Sequence, residues 1–313
     1  MAINRGSIAK ELLPGLNAVF GMEYGEVANE HAPLFDTENS DRAFEEEVLF
    51  TGFGTAPTKS EGAAVTYDNA QESYVARYTH ETVALAFAVT EEAMEDNLYD
   101  TFAKLRARGL ARAMANTKQV KAADVFNQGF SATATGGDGQ PFFSASHPTV
   151  GDGTQSNTLG ATDLSEAALE SALITVSKAK DDRGILIGLQ TKSLHIPSDL
   201  AFTADQILNS TLSTAIGVNP TTAANGATNV NNINSIMNLG LVPGGFYVNR
   251  RFTDTNGWYL KTDCPNGTKM FVRSPLQTKM EPDFDTGNLR FKSRERYSFG
   301  FSDWRGFYGS SGS

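Results

Sequence analysis

Residues 288–301 read NLRFKSRERYSFGF, and the side chains along this stretch alternate between apolar and charged. The apolar positions are Leu289, Phe291, Tyr297, Phe299 and Phe301, and the cationic positions are Arg290, Lys292, Arg294 and Arg296. A period of two in a run rich in aromatic residues predicts a long strand that buries one face. The other face carries four cations, although the formal net charge of the chain is −10. We call these four residues the basic stripe and expect it to meet a neighbouring subunit, acidic side chains or a polyanion.

The composition of the chain is typical of a folded globular protein. Its 313 residues, 40% hydrophobic and 20% charged, suffice for one large domain or two moderate ones. The acidic balance argues against a dedicated nucleic-acid reader, because such proteins usually carry a basic excess. The single cysteine, Cys264, excludes an internal disulfide and a cysteine-cluster metal site. Since no apolar run suits a membrane span or a secretory signal, we expect a soluble protein made in a reducing compartment.

The first 90 residues predict an arm followed by a long hairpin. Residues 8–20 form a short amphipathic segment, which suits an arm that packs on another surface. An acidic and then apolar run, 45–50, precedes a Gly- and Pro-containing loop over 51–62, and strand-like alternation resumes over 64–90. Two extended runs around a Gly- and Pro-containing tip predict a long hairpin or extended loop.

A long helix is predicted after the hairpin. Apolar residues recur at a spacing close to 3.6 from Glu91 to about Gln128. Thr90 suits its amino-terminal cap, and Glu92 and Glu95 suit the positive end of its dipole. Because this helix would be roughly three times the mean helix length, we interpret it as a structural axis.

The remaining sequence mixes shorter helices and strands. A second helix is predicted after Asp163, and a third over residues 201–212. Strands are predicted at 193–197, 245–249, 258–261 and 270–273, before the terminal strand. The segment 217–234 is dominated by Asn, Thr, Ala and Gly, which predicts a mobile loop. The fold class is therefore predicted to be α+β.

Catalytic chemistry finds little support in the sequence. The four histidines are far apart, and none shows metal-ligand spacing: His31, His80, His147 and His195. Ser144 or Ser146 beside His147 suggests a serine hydrolase, but no Gly-x-Ser-x-Gly elbow is present. A turn between aromatic anchors explains this segment better. We therefore expect no enzyme active site.

The sequence also contains no complete cofactor-binding or metal-binding motif. Residues 283–288 resemble the opening of a calcium loop, but Asn288 stands where the glycine is needed and Arg294 where the glutamate is needed. A hairpin turn explains that segment better. Phosphate-binding and dinucleotide-binding glycine motifs are absent from the sequence, so no cofactor is expected.

The partner of the basic stripe stays open at this stage. It could pair within the chain, with acidic residues at the start of the long helix: Glu91, Glu92, Glu95 and Asp96. Alternatively, it could pair with the acidic run of a neighbouring copy: Glu45, Glu46 and Glu47. Either alternative makes the stripe structural.

Four segments of the sequence carry a resemblance to a known family. They are DGQPFFSASHP at 138–148 after the long helix, WYLKTD at 258–263, KMEPDFDTGN at 279–288 and ERYSFGFSDWRG at 295–306. In this order they resemble the major capsid proteins of tailed bacteriophages, which have the Hong Kong 97-type fold. The resemblance is closest to the branch typified by the major head subunit of phage Mu.

The resemblance implies a division of the chain. Residues 1–43 would be an amino-terminal arm, and 44–82 an extended β-hairpin loop. Residues 83–160 would form a peripheral domain with the long spine helix, 161–269 an axial domain, and 270–313 the returning strands of the peripheral domain. In this arrangement the basic stripe becomes a contact between protein parts.

The implied function is assembly. Copies of the chain would form the hexamers and pentamers of an icosahedral shell around double-stranded DNA, held non-specifically. Assembly would take place in the bacterial host cytoplasm, with a portal, a separate scaffolding protein and a decoration protein as further partners and no membrane. Expected assembly contacts are Glu45, Glu46, Glu47, Lys59, Arg290, Lys292, Arg294 and Arg296. Lys59, near the loop tip, invites comparison with a crosslinking lysine of the family, although simple solvation is the expectation. The alternatives are a tail-tube or decoration subunit, or a serine hydrolase.

Overall fold

The computed structural model describes residues 5–90, 92, 99–212, 233–283 and 286–313. The helices are α1 (Arg5–Glu26), α2 (Tyr99–Asn127), α3 (Glu166–Ser177), α4 (Ala201–Asn209) and α5 (Ser235–Leu239). The first strands are β1 (Asp36–Asn39), β2 (Phe44–Phe50), β3 (Glu72–Thr79), β4 (Glu81–Val89), β5 (His147–Pro148) and β6 (Thr154–Gln155). The later strands are β7 (Thr191–Ile196), β8 (Phe246–Val248), β9 (Trp258–Thr262), β10 (Thr268–Pro282), β11 (Leu289–Phe301) and β12 (Phe307–Ser310). The predicted α+β class is confirmed.

The predicted terminal strand is β11, and it lies in a sheet of order β1-β10-β11-β4. It pairs antiparallel with β10, from Thr268 opposite Phe301 to Pro282 opposite Leu289. Alternate residues from Leu289 to Tyr297 are buried, whereas the side chains of the basic stripe point to the opposite face. The predicted alternation is therefore confirmed. We call the buried side of this sheet its inner face and the stripe side its outer face.

A hairpin turn connects β10 and β11 at the segment that resembles the opening of a calcium loop. The backbone N–H of Asp283 donates to the carbonyl of Asn288 at 2.8 Å, and that of Gly287 donates to the carbonyl of Asp283 at 3.0 Å. Gly287 adopts a φ of 67°, which glycine tolerates without strain. Residues 284 and 285 lie outside the described ranges.

Two helices cover the inner face of the first sheet. Leu16 and Phe20 of α1 pack with Ala107 and Leu110 of α2 against Phe291 of β11. Helix α1 extends beyond the predicted 8–20 segment, because contacts of its last turns with α2 outweigh the weak helix propensity of glycine. The predicted long helix is present as α2 from residue 99. Glu91, Glu95 and Asp96, with the start expected there, lie outside the described residues.

The predicted hairpin is present as β2 and β3, which pair antiparallel and are joined by an irregular loop over residues 51–71. Its stem crosses the outer face of the first sheet. There, Tyr78 packs on Gly300, where an added Cβ would lie 2.7 Å from the tyrosine ring. Gly137 supports the stem from the other side, since a Cβ there would lie 2.4 Å from the carbonyl oxygen of Val75. Two glycines therefore set the position of the hairpin.

A second sheet, of order β12-β9-β7-β8, forms the rest of the fold. Its core includes Leu169 of α3, Ile207 of α4, Leu194 of β7 and Trp258 of β9. Most of this core lies in the predicted axial segment, 161–269. Strand β12 departs from that boundary, because the backbone of 307–310 pairs antiparallel with β9 and completes the second sheet. Most of the predicted mobile loop, 217–234, falls outside the described ranges. Among the described helices, none has both the length and the apolar character of a membrane span.

Candidate assembly surfaces

The basic stripe lies on the outer face of the first sheet, where Arg290, Lys292 and Arg294 are exposed and Arg296 is half-buried. Arg290 forms an ion pair with Asp283 at the turn. For Lys292, Arg294 and Arg296, no ion pair is formed with any residue in the described ranges. Lys279 of β10 stands directly opposite Lys292, so two like charges are cross-strand neighbours. Positive charge is therefore concentrated around Lys292 and Arg294, whereas Asp283 neutralises Arg290 at the turn.

The acidic run meets other partners. Glu47 forms an ion pair with Lys269 of β10 and accepts a hydrogen bond from Ser302. Glu46 lies 3.8 Å from Arg77 across the hairpin, and Glu45 accepts a hydrogen bond from Ser40 at 2.7 Å. Burial alone would lower the pKa of Lys269, but hydrogen bonds to Glu47 and Glu38 outweigh it and raise the pKa. The expected pairing of this run with the stripe of a neighbouring copy stays a prediction.

The hairpin has an exposed apolar face. Phe44, Val48 and Phe50 alternate along the outside of β2, and Val75 of β3 stands opposite Val48. Phe50 remains 64% exposed. Further exposed apolar residues in the loop are Phe53, Val65 and Tyr67. Glu46 and Arg77 interrupt these residues on the same face, so the apolar part is concentrated at the loop end of the stem. Exposed apolar side chains grouped in this way make the face a candidate interface.

An ion pair holds the hairpin loop against the chain. Arg183 donates to both carboxylate oxygens of Asp68, at 3.1 and 3.2 Å, and the N–H of Gly54 donates to the same carboxylate at 2.7 Å. The Gly54 hydrogen bond is the main cause that lowers the pKa of Asp68. Lys59 is exposed on this loop and makes no hydrogen bond or ion pair with any described residue.

A buried polar cluster that the sequence did not predict joins α1, α2 and β11. The ammonium of Lys118 lies 2.5 Å from a carboxylate oxygen of Glu295 and donates to the hydroxyl of Tyr24 at 2.6 Å. Tyr24 in turn donates to Glu295 at 3.3 Å. Burial alone would lower the pKa of Lys118, but the hydrogen bonds to Glu295 and Tyr24 raise it above its usual value. The sequence signal was a lone carboxylate, Glu295, among the uncharged residues on the inner face of the terminal strand.

The geometry around His147 excludes the catalytic interpretation of this segment. Nδ1 of His147 lies 2.5 Å from Asp138, and Nε2 lies 3.0 Å from the amide oxygen of Asn157. The ring is fully buried and stacks on Trp304 with a centroid distance of 4.4 Å. With both ring nitrogens engaged, His147 has no free nitrogen to activate Ser146. The hydrolase alternative is therefore wrong for this histidine.

Asn157 makes the same region a structural hub. Its side-chain amide donates to the carbonyls of Phe142, Trp304 and Phe307 at 2.8 to 3.1 Å. Its amide oxygen accepts the N–H of Ser144 at 2.9 Å. The DGQPFFSASHP segment thus fastens the loop after α2 to the carboxyl-terminal segment.

A second buried ionic contact links the segment between β11 and β12 to the loop after α3. Arg305 lies 2.5 Å from Asp182 and donates to the carbonyl of Lys180 at 2.9 Å. Its guanidinium also covers the ring of Trp304 at 4.2 Å. Burial raises the pKa of the nearby Cys264 thiol, which keeps this cysteine in its neutral form. Across the described residues, no cluster of His, Cys, Asp and Glu suits a metal ion.

Comparisons with solved structures identify the fold. A virus-like particle from Pyrococcus furiosus is similar with a TM-score of 0.52 and 11% identity, over 96% of this chain and 99% of that chain. The capsid of a native GTA particle is similar with a TM-score of 0.52 and 14% identity, over 90% of this chain and 89% of that one. At such low identities the likeness is one of fold, and it confirms the predicted Hong Kong 97-type architecture.

Sequence comparison gives the family. No curated protein matches the chain. The family model described as phage capsid protein matches residues 73–310, which is well over half of the sequence. This match runs from the returning strand of the hairpin, through α2 and both sheets, to β12. The chain therefore belongs to the phage capsid protein family.

Proposed function

We propose that this structural capsid protein is a major head subunit, whose copies form the hexamers and pentamers of an icosahedral shell around double-stranded DNA. The observation that carries the proposal is the exposed apolar face of the hairpin, where Phe50 ends β2 and remains largely exposed. The stem of the hairpin is held rigidly by Gly137 and by the Glu47–Lys269 ion pair. The apolar face is therefore presented in a defined orientation rather than collapsed on its own subunit.

The energetics suit assembly by repetition. Burial of an exposed phenylalanine contributes about 1.5–3 kcal/mol, which is too little to hold two subunits together alone. In a closed shell each subunit makes such a contact with a neighbour and receives another, so weak contacts add up. The net charge of −10 lets enclosed DNA move without sticking, because the lining repels phosphates on average.

The proposal includes the division of the chain. Residues 1–43 form the arm, 44–82 the extended loop, 83–160 with 270–313 the peripheral domain, and 161–269 the axial domain. Membership of the phage Mu branch, assembly in the host cytoplasm, and a portal, scaffolding protein and decoration protein as partners belong to the same proposal. Support for them comes from the four resembling sequence segments.

The test is expression of the chain alone, followed by size-exclusion chromatography and negative-stain microscopy. We expect rings, closed shells or elongated polyheads. A monodisperse monomer with hydrolytic activity would contradict the proposal. Uniform tubes would favour a tail-tube subunit.

Lys59 gives a separate test of how the shell is held together. Because Lys59 is solvated and unpaired among the described residues, we expect the particles to be non-covalent. Boiling them in detergent should release a single band at the subunit mass. A ladder of larger species that disappears in Lys59→Arg particles would show crosslinking instead.

A further inference from the structure

The outer face of the first sheet carries an open lane beside the basic stripe. In the register of β4 with β11, Ala88, Ala86 and Ala84 stand directly beside Arg290, Lys292 and Arg294. All three alanines are exposed. Their short side chains leave room for the long cationic side chains to lean across β4 towards its far side.

The far side of β4 is a free strand edge. Strand β4 is the last strand of its sheet, and no described residue pairs with its outer edge. The strand is 9 residues long and reads ETVALAFAV, with no proline and no lysine. Native proteins usually protect such edges with charges, proline or bulges, because unpaired N–H and C=O groups recruit other strands.

We propose that this surface docks an extended acidic peptide segment of a partner protein, which adds as a strand to β4. Carboxylates at every second position of the added strand would meet Lys292 and Arg294, the two exposed stripe cations that form no ion pair with a described residue. Residues two apart on the added strand and on β11 share a spacing of about 6.7 Å, so the charges are in register. Main-chain hydrogen bonds supply the affinity, and the alternating charges supply the specificity.

The chain itself shows that this face binds carboxylates. Strand β2 lies over this face, and its Glu47 forms an ion pair with Lys269. Lys269 stands directly opposite Gly300 in the β10–β11 register. The stripe continues this face beyond the hairpin stem, and Arg296 at the boundary has a buried Nε without a hydrogen-bond partner. Lys269 thus already binds the carboxylates of Glu38 and Glu47, and Arg290 binds that of Asp283, whereas Lys292 and Arg294 form no ion pair with a described residue.

A protein partner fits better than a nucleic acid. The outward positions of β4, β11 and β10 around the lane hold no aromatic residue: Thr82, Ala84, Ala86, Ala88, Arg290, Lys292, Arg294, Gln277, Lys279 and Glu281. Single-stranded nucleic acids are usually held by aromatic stacking in addition to charge. A phosphate backbone would also leave the carbonyl groups of the β4 edge without partners, because an ionised phosphodiester has no hydrogen-bond donor.

The test measures binding of a labelled nine-residue peptide with alternating Glu and Thr to the full chain, at concentrations where light scattering detects no assembly. Because exposed ion pairs contribute modestly, Lys292→Gln/Arg294→Gln should raise the Kd about tenfold. The matched control Lys59→Gln/Arg106→Gln removes two exposed cations elsewhere and should change the Kd less than about twofold. A peptide with Gln in place of Glu should bind the unaltered chain with a Kd at least as high as that of the Glu/Thr peptide for the Lys292→Gln/Arg294→Gln variant.

Hydrogen exchange separates strand addition from simple attraction. With the Glu/Thr peptide bound, backbone amides of residues 81–89 should exchange more slowly, whereas those of the exposed loop 51–71 should not change. Binding that ignores the stripe substitutions, or that leaves β4 exchange unaltered, overturns the proposal. So does a 20-base-pair DNA duplex that binds more tightly than the peptide with the same stripe dependence, or a stripe variant that alters only self-association.

Discussion

Replacement of Lys118 by methionine should destabilise the subunit strongly. Glu295 is 1% exposed and Lys118 15% exposed, and the ammonium and carboxylate lie 2.5 Å apart. Methionine fills the space of the lysine stem but leaves the carboxylate buried with only the Tyr24 hydroxyl as donor. Breaking a buried pair from one side typically costs about 3–5 kcal/mol, so we expect the free energy of unfolding to fall by that amount.

Urea and thermal unfolding of the dilute, unassembled subunit measure this loss. A decrease of about 4 kcal/mol corresponds to a melting temperature lower by roughly 6 °C for a chain of this size. The control is Lys121→Met, one turn along the same helix, because Lys121 pairs with Glu81, which is 63% exposed. A surface pair contributes about 0–1 kcal/mol, so this variant should unfold almost like the wild type.

The double variant Lys118→Met/Glu295→Gln adds a second comparison. It removes both charges, so it should lose less stability than Lys118→Met alone. If Lys118→Met instead loses no more than Lys121→Met, the cluster does not fasten the two helices to the sheet and the reasoning fails.

Three further predictions concern assembly and stability. Phe50→Ser should raise the subunit concentration needed for assembly about tenfold, because burial of this side chain, 64% exposed in the subunit, contributes about 1–2 kcal/mol. Light scattering measures this concentration. The control Phe202→Ser, which also replaces an exposed phenylalanine, should assemble normally. Burial lowers the pKa of His195 to about 3 in the folded state, compared with about 6.5 in the unfolded state. Below pH 6.5 the unfolded state therefore binds a proton that the folded state does not. The free energy of unfolding should then fall by about 1.4 kcal/mol for each pH unit. Equal urea midpoints at pH 7 and pH 5 would contradict this. Gly137→Ala would make the new Cβ clash with the β3 backbone, so it should lower the free energy of unfolding by about 1–3 kcal/mol and displace the hairpin. In the control Gly21→Ala, the new Cβ meets nothing within 4 Å, so neither effect is expected. Thermal unfolding and assembly of both variants check this.

Periodic features of the fold could be predicted from the sequence. The alternation over 288–301, the hairpin and the long helix each follow from a local repeat of side chains, and each is present in the structure. Local repeats are readable because backbone geometry alone sets which residues share a face.

Long-range polar contacts could not be predicted in this way. Glu295 and Lys118 are far apart in the sequence, and no local pattern states that the two side chains meet. The same holds for Asn157, whose amide joins carbonyls of two distant segments, and for β12, which crosses to the second sheet. These choices depend on how the elements pack, which propensity and period do not encode.

The acidic run illustrates a prediction that the sequence left undecided. Its charge suggested a partner for the basic stripe, and the carboxylate of Glu47 does lie on the same sheet face. It engages Lys269 instead, a cation that the strand pattern did not single out. The stripe therefore remains accessible on the described surface, which is the basis for the proposed peptide site.

A cryo-electron microscopy reconstruction of particles formed by the purified chain tests the central claim most directly. We expect six-fold rings, with five-fold rings wherever a particle closes, and the apolar face of each hairpin, including Phe50, buried against an adjacent subunit. Particles without these rings, or rings in which the hairpin contacts only its own subunit, would contradict the claim.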